Sequence, residues 1–162
     1  MKILILGLGN ELLSDDGAGL LAARALSLEL QGQAEVIECS LSGLALLEVL
    51  MDYDRAIILD ATASGKHPPG TIIELFPDDL SAVISPSPHY AGLPEMLALA
   101  KQLEVDFPSE IAIFALEVAD PYTIGGGLSE KVREALPGLC ALVRERVSEW
   151  VTVEKQMNLQ DG

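Results

Sequence analysis

Positive charge is scarce in this chain. Ten lysines and arginines stand against 25 acidic residues, a net charge of −15 over 162 residues. A surface of that sign repels phosphate backbones and anionic lipid headgroups, and no basic run offsets it. Nucleic acid and membrane surfaces are therefore excluded as expected partners. Cysteine is scarce too. Cys39 and Cys140 are the whole complement, and they form no CxxC pair. Neither a disulfide scaffold nor a cysteine zinc site is expected, and the count fits a reducing compartment. Long apolar runs are missing. The opening MKILILGLGN meets polar Asn10 and Glu11 before it reaches the length of a signal peptide. No window holds the ~18 apolar residues of a spanning helix. The expectation is a soluble, cytoplasmic protein. HExxH, GxSxG and a phosphate-binding Gly-Lys-Ser/Thr are also absent, so no zincin, serine-hydrolase or P-loop chemistry is visible.

What is present is apolar material. Hydrophobic residues make up 49% of the chain, too much for a disordered acidic polymer. The length suits one domain of ~100–200 residues. Short apolar runs at 2–6, 55–60, 71–76 and 110–116, and the alternating segment EVIEC at 35–39, read as strands. Helices are expected over 16–30, 42–50 and 92–103, with a helical turn at Asp78-Asp79. A last helix follows Ser129 as N-cap, is interrupted at Pro137, and resumes to Trp150. Strands apolar along their whole length, alternating with helices, indicate a mostly parallel sheet covered on both faces. The expected fold is α/β: a three-layer α/β/α sandwich on a five-stranded, mostly parallel twisted sheet. One domain is expected over 1–150, and 151–162 is expected to be a polar, fraying tail.

Ligands of open α/β sheets bind beyond the carboxyl ends of the strands. Three features fall there. They are the segment GLGNELLSDDGAG (residues 7–19) after the first strand, Asp60 at the end of the third, and His89 in the proline-bounded loop ISPSPHY. Gly7-x-Gly9 starts a dinucleotide fingerprint, but the pattern needs glycine where Leu12 stands. Asp15 and Asp16 then occupy the helix start where a pyrophosphate would bind. One reading of this acidic pair is helix capping and dipole neutralisation. The other frees one of them for chemistry. If the first and third strands are neighbours, Asp15 or Asp16 shares a crevice with Asp60, and His89 closes over it. Two carboxylates and an imidazole suit a borderline divalent ion and leave coordination positions open. His67 reads as a surface residue. Cys39 ends a strand near the crevice but reads as inert packing.

These residues together resemble the hydrogenase maturation protease family. The resemblance runs from Met1 to about Trp150. It is carried by Gly7-Leu8-Gly9-Asn10, Leu13-Ser14-Asp15-Asp16-Gly17-Ala18-Gly19, Ile58-Leu59-Asp60-Ala61, Pro69-Gly70-Thr71 and Ser87-Pro88-His89 with Gly92-Leu93. It implies a three-layer sandwich, usually monomeric, and an endopeptidase that trims the C-terminus of a [NiFe]-hydrogenase large-subunit precursor after nickel insertion. The family's metal-contacting and catalytic trio maps onto Asp16, Asp60 and His89. No cofactor is tightly bound by the enzyme itself. Nickel is recognised in the substrate, and other divalent ions can occupy the site in vitro. A segment Asp-Gly-Gly-Thr-x-Gly common in the family reads here Glu38-Cys39-Ser40-Leu41-Ser42-Gly43. This departure lies near the crevice and bears on which precursor is accepted. The competing class is a metal-binding or chaperone-like accessory protein for hydrogenase assembly that lacks protease activity. A nucleotide-binding regulator is a third.

Overall fold

The computed structural model describes residues 1–42, 45–80 and 93–160. Five strands form one sheet: β1 (Ile3–Leu8), β2 (Glu35–Cys39), β3 (Arg55–Thr62), β4 (Ile72–Leu75) and β5 (Glu110–Glu117). Their order is β2-β1-β3-β5-β4. β1, β2, β3 and β5 run parallel, and β4 lies antiparallel at the edge against β5.

Side chains alternate across a strand, so each strand feeds two cores. Ile3, Ile5, Ile57, Leu59 and Phe114 face the layer of α1 (Ala18–Glu29) and α5 (Glu130–Gln160). Leu4, Leu6, Ile58, Ile111 and Ile113 face the other layer, with Leu46 and Leu50 of α2 (Ala45–Leu50) and Leu97 of α4 (Leu93–Gln102). The short α3 (Pro77–Leu80) follows β4. The three-layer sandwich expected from the apolar strand runs is the observed fold. The neighbourhood of β1 and β3 that the site reading required is observed as well.

Two helices differ from the sequence reading, at three points. The helix expected at 16–30 starts as a 3-10 turn over Ser14–Gly17, and α1 proper begins at Ala18. Pro137 does not interrupt α5, which runs unbroken for 31 residues. A helical proline leaves one carbonyl unbonded and costs about 3 kcal/mol. The buried stripe Val132, Leu139, Cys140, Val143, Val147 and Trp150 runs past it on both sides, and such packing supplies most helical stability in proteins. Nor does the helix stop at Trp150. Val151 packs against the core, Glu154 pairs with the Met1 ammonium at 2.8 Å, and helical structure continues to Gln160. Despite its length, α5 is not apolar enough to cross a membrane, and the same holds for every described helix.

Candidate active site

The chain leaves β1 on one side to form β2 and returns on the other side to form β3. The carboxyl ends of β1 and β3 therefore flank a topological switch point, where α/β sheets open a crevice. The last β1–β3 register pair is Gly7 with Leu59. Asp60 is the next residue, paired on its other side with Ala115 of β5. It is fully buried, and its Oδ1 accepts the Ala61 amide at 2.8 Å. By alternation its side chain belongs to the face of Ala56 and Ile58, the α2/α4 side.

The glycines of the first motif explain how the helix start reaches this point. A Cβ at Gly19 would lie 2.4 Å from the Leu59 carbonyl oxygen and 2.5 Å from that of Leu8. The first turn of α1 thus rests directly on the ends of β1 and β3. At Gly9, with φ +145°, a Cβ would sit 2.0 Å from the Asp16 carbonyl oxygen. A Cβ at Gly7 would likewise lie 2.6 Å from the Gly19 carbonyl oxygen, so glycine at 7 and 9 is a steric requirement of this packing, which is why the motif looks like a nucleotide fingerprint without its third glycine. The close approach lays the Ser14–Gly17 turn against β3, at the same sheet end as Asp60.

The two adjacent aspartates have different tasks. Asp15 is fully buried and accepts four hydrogen bonds: from the amides of Ala119 (3.1 Å), Asp120 (3.0 Å) and Ser129 (2.6 Å), and from the Ser129 hydroxyl (2.9 Å). Its own amide donates to the Asp120 carbonyl at 2.9 Å. Asp15 therefore pins both feet of the loop between β5 and α5. The Ser129 hydroxyl, expected as a helix cap, serves this clamp. Asp16 is half-buried. Its Oδ2 accepts the Asn10 amide at 2.8 Å, the one hydrogen bond its carboxylate makes among the described residues. Asp16 and Asp60 thus reach the same end of the sheet, and Asp16 remains accessible there. His89, with its proline-bounded loop, lies outside the described residues. Among the described residues, no three His, Cys, Asp or Glu side chains group as a metal site.

Sequence reasoning missed the device at the rim. Arg24 reaches Glu38 through Nε (3.0 Å) and Nη2 (2.6 Å), and Glu11 through Nη1 (2.9 Å) and Nη2 (3.0 Å). The two carboxylates hold the guanidinium's pKa above its already high ordinary value. In return, the Arg24 hydrogen bonds hold the Glu11 carboxyl below the usual carboxylate range. Glu38, the residue at the departure from the family segment, thereby ties the end of β2 to the loop after β1. The alternation of EVIEC gave no sign of it, because its partners lie 13 and 14 residues apart and meet through tertiary packing. Cys39 packs into the α2-side core and accepts the Leu41 amide at 3.3 Å. His67 is exposed, as expected. A third buried carboxylate, Glu117, accepts the Ser64 hydroxyl (2.9 Å) and the Gly65 amide (2.8 Å), fixing the loop after β3.

The fold is shared with known proteins. A sequence profile of the hydrogenase maturation proteases (HycI) matches residues 21–146. The hydrogenase 2 maturation protease of Escherichia coli K12 is 30% identical over 152 residues, 90% of this chain and 92% of that one. The structure of the hydrogenase maturating endopeptidase HybD from E. coli superposes with a TM-score of 0.76 at 28% identity, covering 92% of this chain and 93% of that one. The [NiFe] hydrogenase maturation protease HybD from Thermococcus kodakarensis gives 0.72 at 27% identity, covering 91% and 99%. The profile match, the sequence relative and the shared fold give one conclusion: this chain is a peptidase that belongs to the hydrogenase maturation protease family.

Proposed function

We propose that this peptidase removes the C-terminal extension of a [NiFe]-hydrogenase large-subunit precursor after nickel insertion, and that Asp16, Asp60 and His89 are its catalytic and metal-contacting residues. The observation that carries the reading is the pair of carboxylates at the β1/β3 switch point. Asp60 sits one residue past the last β1–β3 pair, and the 3-10 turn bearing Asp16 packs against the same strand. Two oxygens and an imidazole form an incomplete coordination set. The substrate's nickel, already held by the precursor, completes it, and docking on that ion sets the scissile bond beside the crevice. Hydrolysis then needs a water oxygen to bond to the scissile carbonyl carbon and the C–N bond to break. A carboxylate of the pair takes the water's proton and delivers it to the leaving amine. The enzyme has no tightly bound metal of its own in this scheme. It acts as a monomer, in the cytoplasm.

The test is to mix the purified protein with a nickel-loaded large-subunit precursor and with the nickel-free form, and to weigh the products by mass spectrometry. Nickel-dependent loss of one C-terminal peptide is expected. No cleavage of the loaded precursor by the folded protein would overturn the peptidase assignment in favour of an assembly chaperone.

A further inference from the structure

Leu12, Tyr122 and Ile124 are large apolar side chains left 72%, 79% and 83% exposed. Single exposed hydrophobes are ordinary, but these three sit on two loops joined to each other beside Asp16. The Gly125 amide donates to the Leu12 carbonyl at 2.9 Å, Leu13 bridges Ile124, and the Ser14 hydroxyl donates to the Gly127 carbonyl at 2.8 Å. Asp15 holds the feet of the second loop, as described above. The segment Leu12–Gly17 therefore carries Asp16 and also anchors the backbone of the loop that bears Tyr122 and Ile124. Preorganisation of this kind lowers the ordering cost of binding.

The two segments that bear these side chains carry only negative charge, and Arg133 adjoins the second of them, donating from Nη2 to the Leu128 carbonyl at 3.0 Å. Segments 9–17 and 118–129 contain Glu11, Asp15, Asp16 and Asp120 and no lysine or arginine. Arg24, which reaches this rim, is committed to Glu11 and Glu38. A second copy of a chain carrying −15 would meet like-charge repulsion here. A chain segment with apolar side chains flanked by uncharged or basic residues would not.

We propose that Leu12, Tyr122 and Ile124 are the docking surface for the C-terminal region of the substrate precursor, which they engage through apolar side chains in a non-acidic stretch. This inference rests on the proposed function and adds a specificity-determining surface to it. None of the three residues belongs to the catalytic set.

The experiment compares wild type, the L12S/Y122S/I124S variant and the conservative L12M/Y122F/I124V variant. Affinity for a nickel-loaded large-subunit precursor is measured by biolayer interferometry, and processing by KM and kcat. Melting temperatures check that all three chains are folded. The serine variant is expected to weaken binding about 30-fold, the size of one interface hot spot, and to raise KM with kcat held. The conservative variant is expected to restore both. Wild-type affinity and KM in a folded serine variant would overturn the docking surface while leaving the peptidase role standing. Patch-dependent binding without any cleavage would do the reverse. A wild-type dimer in sedimentation that the serine variant dissolves would also overturn the proposal, since the surface would then belong to a second copy.

Discussion

The two ends of the parallel sheet are built differently. At the amino end, where β1, β3 and β5 begin, turns are closed by main-chain bonds and by exposed or half-exposed side chains, the Asp54 carboxylate and the Ser109 hydroxyl among them. The Asp54 amide donates to the Lys2 carbonyl at 2.9 Å and the Ser109 amide to the Asp54 carbonyl at 2.8 Å. At the carboxyl end stand Asp15, Asp60, Thr62 and Glu117, the four buried polar or charged residues among those described. Burying a carboxylate is costly unless donors surround it. Asp15 and Glu117 meet that demand by organising loops, one after β5 and one after β3. Folding alone is served by the cheaper construction of the amino end. The extra carboxylates at the other end hold loops in fixed positions around the crevice, and fixed loops are what a peptidase site needs.

The contrast can be broken at its strongest point. Asp16→Asn and Asp60→Asn should each lower precursor processing by roughly 10²–10⁴-fold, the usual worth of a positioned acid or base. Asp16→Asn should leave the melting temperature near wild type, because its side chain accepts one amide at a half-buried position. Processing at the wild-type rate in either folded variant would remove that residue from the site.

A smaller effect sharpens the comparison between the ends. Asp15→Ala strands four part-buried donors and should cost at least about 3 kcal/mol, since an unsatisfied donor carries ~1–3 kcal/mol when fully buried and less where water reaches it. Ser109→Ala removes one exposed hydroxyl bond to the Asp54 carbonyl and should stay within about 0.5 kcal/mol. Urea unfolding of both variants measures the difference. Equal losses would mean that the two ends share one construction after all.

The smallest expected effect is a pH response of the β5–α5 loop. Asp120 accepts the amides of Tyr122 and Thr123, each at 3.0 Å, and the Thr123 hydroxyl. These bonds, the hydroxyl's first, hold its carboxyl below the ordinary carboxylate value. A carboxyl depressed in the folded state contributes stability above its unfolded pKa and loses it as pH falls through the folded one. The loop should therefore be rigid at neutral pH and loosen only below the ordinary carboxylate range. Backbone order parameters of 121–126 measured by NMR across that range check the sign. Loosening on alkalinisation would contradict it.

Much of this was legible in the sequence because it depends on local pattern. The apolar runs marked β1, β3 and β5 and their two buried faces, since a strand covered on both sides has no polar position to spare, while the edge strands β2 and β4 keep exposed glutamates. Asp60 stood out because a carboxylate ended such a run. The segment 7–19 stood out because its glycines and carboxylates follow a strand. Other features were not legible. Pro137 reads as a break, and only the stripe packed on α1 and the sheet carries the helix through it. Asp15 and Asp16 are the same residue type at neighbouring positions, so no local rule can assign them different work. Their roles separate because Asp15 points at donors 104 to 114 residues away, while Asp16 remains at the crevice. Local chemistry, which the chain carries with it, determined the layers and the candidate residues. The tertiary structure decided which carboxylate clamps and which is left accessible, because hydrogen-bond partners distant in sequence exist only once the sheet has closed.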